Sequence, residues 1–101
     1  MNDQAKLQTK LEELLGSRNV YYQPPASLLM KYPAIRYSKS DIESKYANNI
    51  KYANHYRYEL IVIDKLPDNE VIRKILELPL SSFDRTYTQD GLYHDVITLY
   101  F

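Results

Sequence analysis

Apolar residues recur along this chain at two periods, and the switch from one to the other marks out its elements. Over residues 5–15, Leu7, Leu11, Leu14 and Leu15 fall three or four apart, with Lys6, Lys10, Glu12 and Glu13 turned the other way, the spacing of an amphipathic helix. Gly16 and Asn19 supply its stop, because glycine tolerates the left-handed conformation that commonly ends a helix. Residues 20–22 read as a short strand entering Gln23-Pro24-Pro25. Two successive prolines exclude both a helix and a paired central strand, so the chain bends or runs along an edge.

Residues 32–37 read as the next strand, with Pro33 removing one donor at its start. Residues 55–64 place Tyr56, Tyr58, Leu60 and Val62 on one face and Arg57, Glu59, Ile61 and Ile63 on the other. Apolar residues on both faces toward its end predict a central strand. A second helix opens at Leu66-Pro67-Asp68-Asn69-Glu70, with Asp68 as N-cap, a buried stripe of Val71, Ile72, Ile75 and Leu76, and Pro79 as its end. Strands over 82–88 and 92–101 flank Gln89-Asp90-Gly91, and Asp-Gly between alternating apolar residues is the sharpest hairpin signal in the chain. The order α-β-β-β-α-β-β predicts a single α+β domain over residues 1–101: a mainly antiparallel sheet of four to five strands with two helices packed on one face. The other face, carrying part of the tyrosine set, then requires solvent or another subunit.

Residues 38–54 separate the two middle strands, contain neither glycine nor proline, and are too many for a tight hairpin. Ile42, Tyr46, Ile50 and Tyr52 make the segment apolar enough to dock on something, and it reads as a projecting arm. A solvated loop is the competing account.

Composition sharpens this picture. Eleven of the 101 residues are tyrosine, while cysteine and tryptophan are absent. Tyrosine combines a large apolar ring with one polar tip and few rotatable bonds, so it suits intermittently covered surfaces. Covering a small sheet is the ordinary role of any single tyrosine; the surplus as a set points to contact surfaces. Thirteen basic and thirteen acidic side chains give zero formal charge, which removes the field that would gather a polyanion or an anionic membrane. No apolar stretch approaches the roughly 20 residues of a membrane span, and residues 1–10 are too polar for a signal peptide, so a soluble protein made in a cytoplasm is expected. Without cysteine there is no disulfide, thiol nucleophile or thiolate metal site.

Candidate chemistry is sparse. His55 and His94 show no metal-ligand spacing, and neighbouring His94 and Asp95 point to opposite faces of a regular strand. Asp84 and Arg85 do likewise, each able to pair across strands. Asp64 and Asp68 flank Pro67, where turn formation and capping explain both. Two glycines leave no phosphate-cradling loop. No catalytic, cofactor or metal residues are assigned, and an enzyme is not expected. Lys45, Tyr46, Lys51, Tyr52, Tyr56, Arg57 and Tyr58 mix cations and rings as a single-stranded nucleic-acid platform would, an alternative that the zero net charge opposes.

Several segments taken in order carry a resemblance: Val20-Tyr21-Tyr22-Gln23-Pro24-Pro25, Met30-Lys31-Tyr32-Pro33, Tyr58-Glu59-Leu60-Ile61-Val62-Ile63-Asp64, then Ser82-Phe83-Asp84-Arg85 through Asp90, His94 and Leu99-Tyr100-Phe101. Over residues 20–101 the chain resembles the tail-completion, or tail-terminator, proteins of tailed bacteriophages. The resemblance implies a small α+β subunit forming a ring, usually a hexamer, at the head-proximal end of the tail tube. There it stops tube polymerisation and presents a surface to the neck. Implied partners are further copies, the major tail tube protein and a head-tail connector protein, with DNA only passing through the ring lumen, no membrane and no cofactor; the implied location is the virion. A head-completion adaptor or stopper ring is the nearest rival. The expected contact residues are Tyr46, Ile50, Tyr52 and Tyr56 on the arm and the strand after it, with Leu99, Tyr100 and Phe101 as a second set that ending a core strand explains equally well.

Overall fold

The structure is a computed structural model and describes residues 3–41 and 55–101. Among these residues the chain forms α1 (Asp3–Leu15), β1 (Val20–Tyr22), β2 (Ala34–Asp41), β3 (Arg57–Asp64), α2 (Glu70–Leu76), β4 (Ser81–Gln89) and β5 (Leu92–Tyr100). The strands make one sheet in the order β1-β2-β3-β5-β4. Every pairing is antiparallel except β1 with β2, which run parallel. The α+β fold, its element order and the packing of both helices on one face are those the patterning predicts.

β3 is central and apolar on both sides. Tyr58, Leu60 and Val62 face the helices, where they pack with Leu7 and Leu11 of α1, Val71 and Ile75 of α2, and Ile35, Tyr37, Ile97 and Leu99 of the flanking strands. Ile61 and Ile63 face the other way and join Val96 in a second, smaller cluster. That cluster is covered by the chain itself. Residues 23–33 leave β1, cross this face with Met30 and Tyr32 packed on the cluster, and re-enter the sheet at β2, between β1 and β3. Such a crossover delivers β2 parallel to β1 where a tight hairpin would reverse it. The second face is therefore covered in part by the β1–β2 connection, a correction to the expectation of solvent or another subunit alone.

Three tyrosines form a row beneath α1. The Tyr22 and Tyr37 rings lie 4.8 Å apart and Tyr37 and Tyr58 6.1 Å apart, both pairs tilted, the geometry that aromatic quadrupoles favour. Tyr37 is almost wholly buried, yet its hydroxyl is satisfied: it donates to Gln8 Oε1 at 2.6 Å and accepts from Gln4 Nε2 at 2.7 Å. Gln8 Nε2 also donates to the Val20 carbonyl at 3.0 Å, tying α1 to β1. Desolvation by burial, opposed by the Gln4 bond and reinforced by Tyr22 and Glu12, raises the Tyr37 pKa above its ordinary value.

Boundaries differ from expectation in two informative places, while the closing turn falls where it is expected. β2 continues to Asp41, so residues 38–41 of the expected arm are strand, bulged where Lys39 pairs with Tyr58 and Asp41 with Arg57. The N-cap of α2 is Asn69, whose side chain accepts from Val71 N at 2.9 Å. Asp68 instead occupies a left-handed turn position, φ 58°, and Asp64 braces the cap by accepting from Asn69 Nδ2 at 2.6 Å. In the closing hairpin Asp90 and Gly91 both have positive φ, 55° and 75°, which matches the twist of the strands they join.

Two outcomes follow for stability. Asn69→Ala should cost about 1–2 kcal/mol in a denaturant titration through loss of the cap, with Asp68→Gly, which accepts the left-handed position, near neutral. Tyr37→Phe should cost about 1–2 kcal/mol at neutral pH by stranding two glutamine partners. Because the raised pKa keeps Tyr37 neutral in the fold, its contribution is complete below pH 10.0 and is lost as pH rises through the folded value. The gap between wild type and Tyr37→Phe should accordingly narrow in strong alkali.

Candidate interaction surface

Tyr46, Ile50 and Tyr52 lie outside the described residues. The other expected contact residues come together where β3 begins and β5 ends. Tyr56 N donates to the Phe101 carbonyl at 3.2 Å and Phe101 N to that of Tyr56 at 3.0 Å, extending the β3–β5 ladder by one pair. Tyr56 is half-buried against the helix-side core, with Lys39 Nζ 4.2 Å from its ring centroid, a cation–π contact. Phe101 is half-buried on the same side, and Tyr100 is half-buried one register position away. Leu99 is 0% exposed inside the core, so it supports the fold and offers nothing to a partner, a correction to its place among the contact residues.

Beside Phe101 opens a pocket of about 420 Å³ between Lys6 of α1, the turn at residues 78–80 and His55. Its walls are mostly apolar, and His55 Nδ1 meets no hydrogen-bond partner among the described residues. His94 lies at a different place, stacked on Tyr87 with centroids 4.7 Å apart and planes 12° apart. Its Nδ1 is 3.0 Å from the Leu92 carbonyl. Among the described residues no three His, Cys, Asp or Glu side chains converge to hold a metal ion, and no helix is long and apolar enough to cross a membrane.

The surface that patterning missed is the β4 edge. β4 hydrogen-bonds only to β5 among the described strands, and seven of its nine residues are exposed. Its outer backbone groups are a template for another strand, of the kind proteins usually blunt with charge or a bulge. This edge carries both: Phe83 pairs with Ile97 and Arg85 with Val96, leaving Asp84 as the extra residue. The bulge breaks the alternation that would send Asp84 and Arg85 to opposite faces, and their side chains meet at 2.8 Å. Both are exposed, so the pair adds little stability. Between β4 and α2 runs a shallow groove of about 730 Å³ in which Phe83, Ile72 and Leu76 form the apolar floor, with Asp68, Glu70 and Asp95 around it. Phe83 is 46% exposed.

The chain matches no family model, no curated protein and no solved structure. What marks the β4 surface in the sequence is the poverty of the strand itself, for Phe83 and Tyr87 are its only large apolar residues. A nine-residue strand so polar belongs at an edge. The exposed pair Leu28 and Leu29, on the β1–β2 connection, gave no periodic signal at all; Leu29 is 91% exposed.

Truncation separates core from surface here. Leu99→Ala should destabilise the fold by about 2–5 kcal/mol. Phe83→Ala should cost about 1 kcal/mol or less, since its ring is half in water already. Thermal melts of the two variants side by side read the difference.

Proposed function

We propose that this protein is a structural subunit that acts by assembly, and that its assembly is the tail terminator of a tailed bacteriophage: a ring capping the tail tube and joining it to the head or neck. The observation that carries the assembly reading is the open β4 edge with its half-exposed Phe83 and the apolar-floored groove beside α2. An edge strand of nine residues with no second partner among the described strands, next to a groove, is a surface another polypeptide can extend. The assignment to tail termination is supported by the order of the segments across residues 20–101 that resemble the terminator family.

In this reading the subunit binds without turnover. Tyr56, Tyr100 and Phe101, gathered at one end of the sheet, and the β4 edge on its flank are two separate patches. The β4 edge serves the copy-to-copy contact, which is heterologous and closes into a ring when the rotation permits, and the end of the sheet is left for the tube or neck. The remaining partners are the tail tube protein on one side of the ring and a connector or neck protein on the other, with DNA passing through the lumen; the location is the virion, after synthesis in the host cytoplasm. No catalytic or cofactor role is assigned.

Electron microscopy of particles made without this protein tests the assignment. Overlong tails detached from full heads are expected. Leaky or empty heads with tails of normal length would point to a head-completion stopper instead.

A further inference from the structure

The zero net charge conceals a division of the molecule. From Leu14 to Ser40 there are four basic residues, Arg18, Lys31, Arg36 and Lys39, and no acidic one. All four are exposed, on β2 or the segments flanking β1. From Asp64 to Phe101 seven acidic residues stand against four basic ones. In the sheet order these two stretches fall on opposite flanks, β1 and β2 at one side and β5 and β4 at the other. The two flanks therefore differ in charge although the chain is neutral: the cations at β1 and β2, tempered by Asp41 at the end of β2 and by Glu12 and Glu13 on α1, stand across the sheet from the acidic excess around β4 and β5.

The exposed apolar residues divide the same way. Leu28 and Leu29 project from the basic flank, between Arg18 and Lys31 in sequence. The groove floored by Phe83, Ile72 and Leu76 lies on the acidic flank, rimmed by Asp68, Glu70 and Asp95, with Arg73 the one cation among its lining residues. Those rim carboxylates have no ion-pair partner among the described residues, where the only salt bridge is Asp84 with Arg85. An apolar projection flanked by cations and an apolar groove rimmed by carboxylates are complementary in charge and in apolar character, and one chain carries both.

We propose that copies of this chain associate head to tail, Leu28 and Leu29 of one copy entering the α2–β4 groove of the next while Arg18 and Lys31 meet Asp68 and Glu70. The inference rests on the assembly reading above and names its copy-to-copy contact. Oppositely charged flanks steer the encounter and set the register, and the buried leucines with Phe83 supply the apolar centre. Like flanks repel, so the charge arrangement also opposes a symmetric head-to-head pair.

Charge reversal with complementation tests it by sedimentation and native mass spectrometry, at low salt and at about 0.5 M salt, where the Debye length shrinks to a few ångströms. Wild type should associate in a concentration-dependent way that weakens with salt. Arg18→Glu/Lys31→Glu, with two acidic flanks, and Asp68→Lys/Glu70→Lys, with two basic flanks, should each associate about tenfold or more weakly alone. Mixing the two variants should restore assembly. Leu29→Asp, at a side chain already in solvent, should abolish association while circular dichroism stays that of the folded chain. Since the chain has no cysteine, a Leu29→Cys/Phe83→Cys variant should form an intermolecular crosslinked ladder. Oligomers that ignore both reversals would overturn this contact and leave the assembly reading standing. A chain that stays monomeric at millimolar concentration and forms no ladder would overturn it too, as would a monomer whose basic flank retains oligonucleotides.

Discussion

The structure turns on one strand buried from both sides. β3 carries tyrosine and aliphatic residues toward the helices and isoleucines away from them. Both helices pack on the same face of the sheet, so the isoleucines need a second cover. The chain provides it by routing residues 23–33 over the far face, with Met30 and Tyr32 closing on Ile61, Ile63 and Val96. That single requirement explains the parallel β1–β2 pair, the peripheral place of β1 and the exposed leucines left at the outside of the crossing segment. Among the described residues β4 is left with only its pairing to β5 and the flank of α2.

What remains uncovered follows from this use of the chain. α1 and α2 shield β1, β2, β3 and β5 through one continuous core, while β4 borrows stability from its long pairing with β5 and buries little of its own. A hairpin held chiefly by one ladder can present its outer edge to a neighbour without weakening the core. The bulge at Asp84 and the adjacent ion pair discourage indiscriminate strand addition. Selective contact is then a matter of charge and of the groove beside α2. The charge division across the sheet gives the two flanks different tastes in partners although the chain as a whole is neutral.

The tyrosine surplus divides between fold and surface. Tyr37 and Tyr58 are interior residues, and Tyr22 completes their row against α1. Tyr56, Tyr87 and Tyr100 are half-buried, where a ring with a polar tip serves both environments.

Much of this was legible from local pattern. The helix at residues 5–15, the two-faced character of β3, the Asp90-Gly91 turn and the α-β-β-β-α-β-β order depend on periodicity and on backbone preferences that neighbouring residues settle among themselves. Asp68 and Asn69 are both good caps by residue type, and the fold uses Asn69, whose side chain accepts from Val71 N and is held by Asp64, with Asp68 in a left-handed turn position. Leu99 reads as a terminal residue in the chain and as a core residue in space, since its exposure depends on what packs over it. The parallel entry of β2, the cover over the second face, the unpaired β4 edge and the separation of charge into two flanks are long-range facts. Periodicity reports which side of an element is apolar; which element meets that side, and which edge is left without one, is decided only when the whole chain competes for the same core.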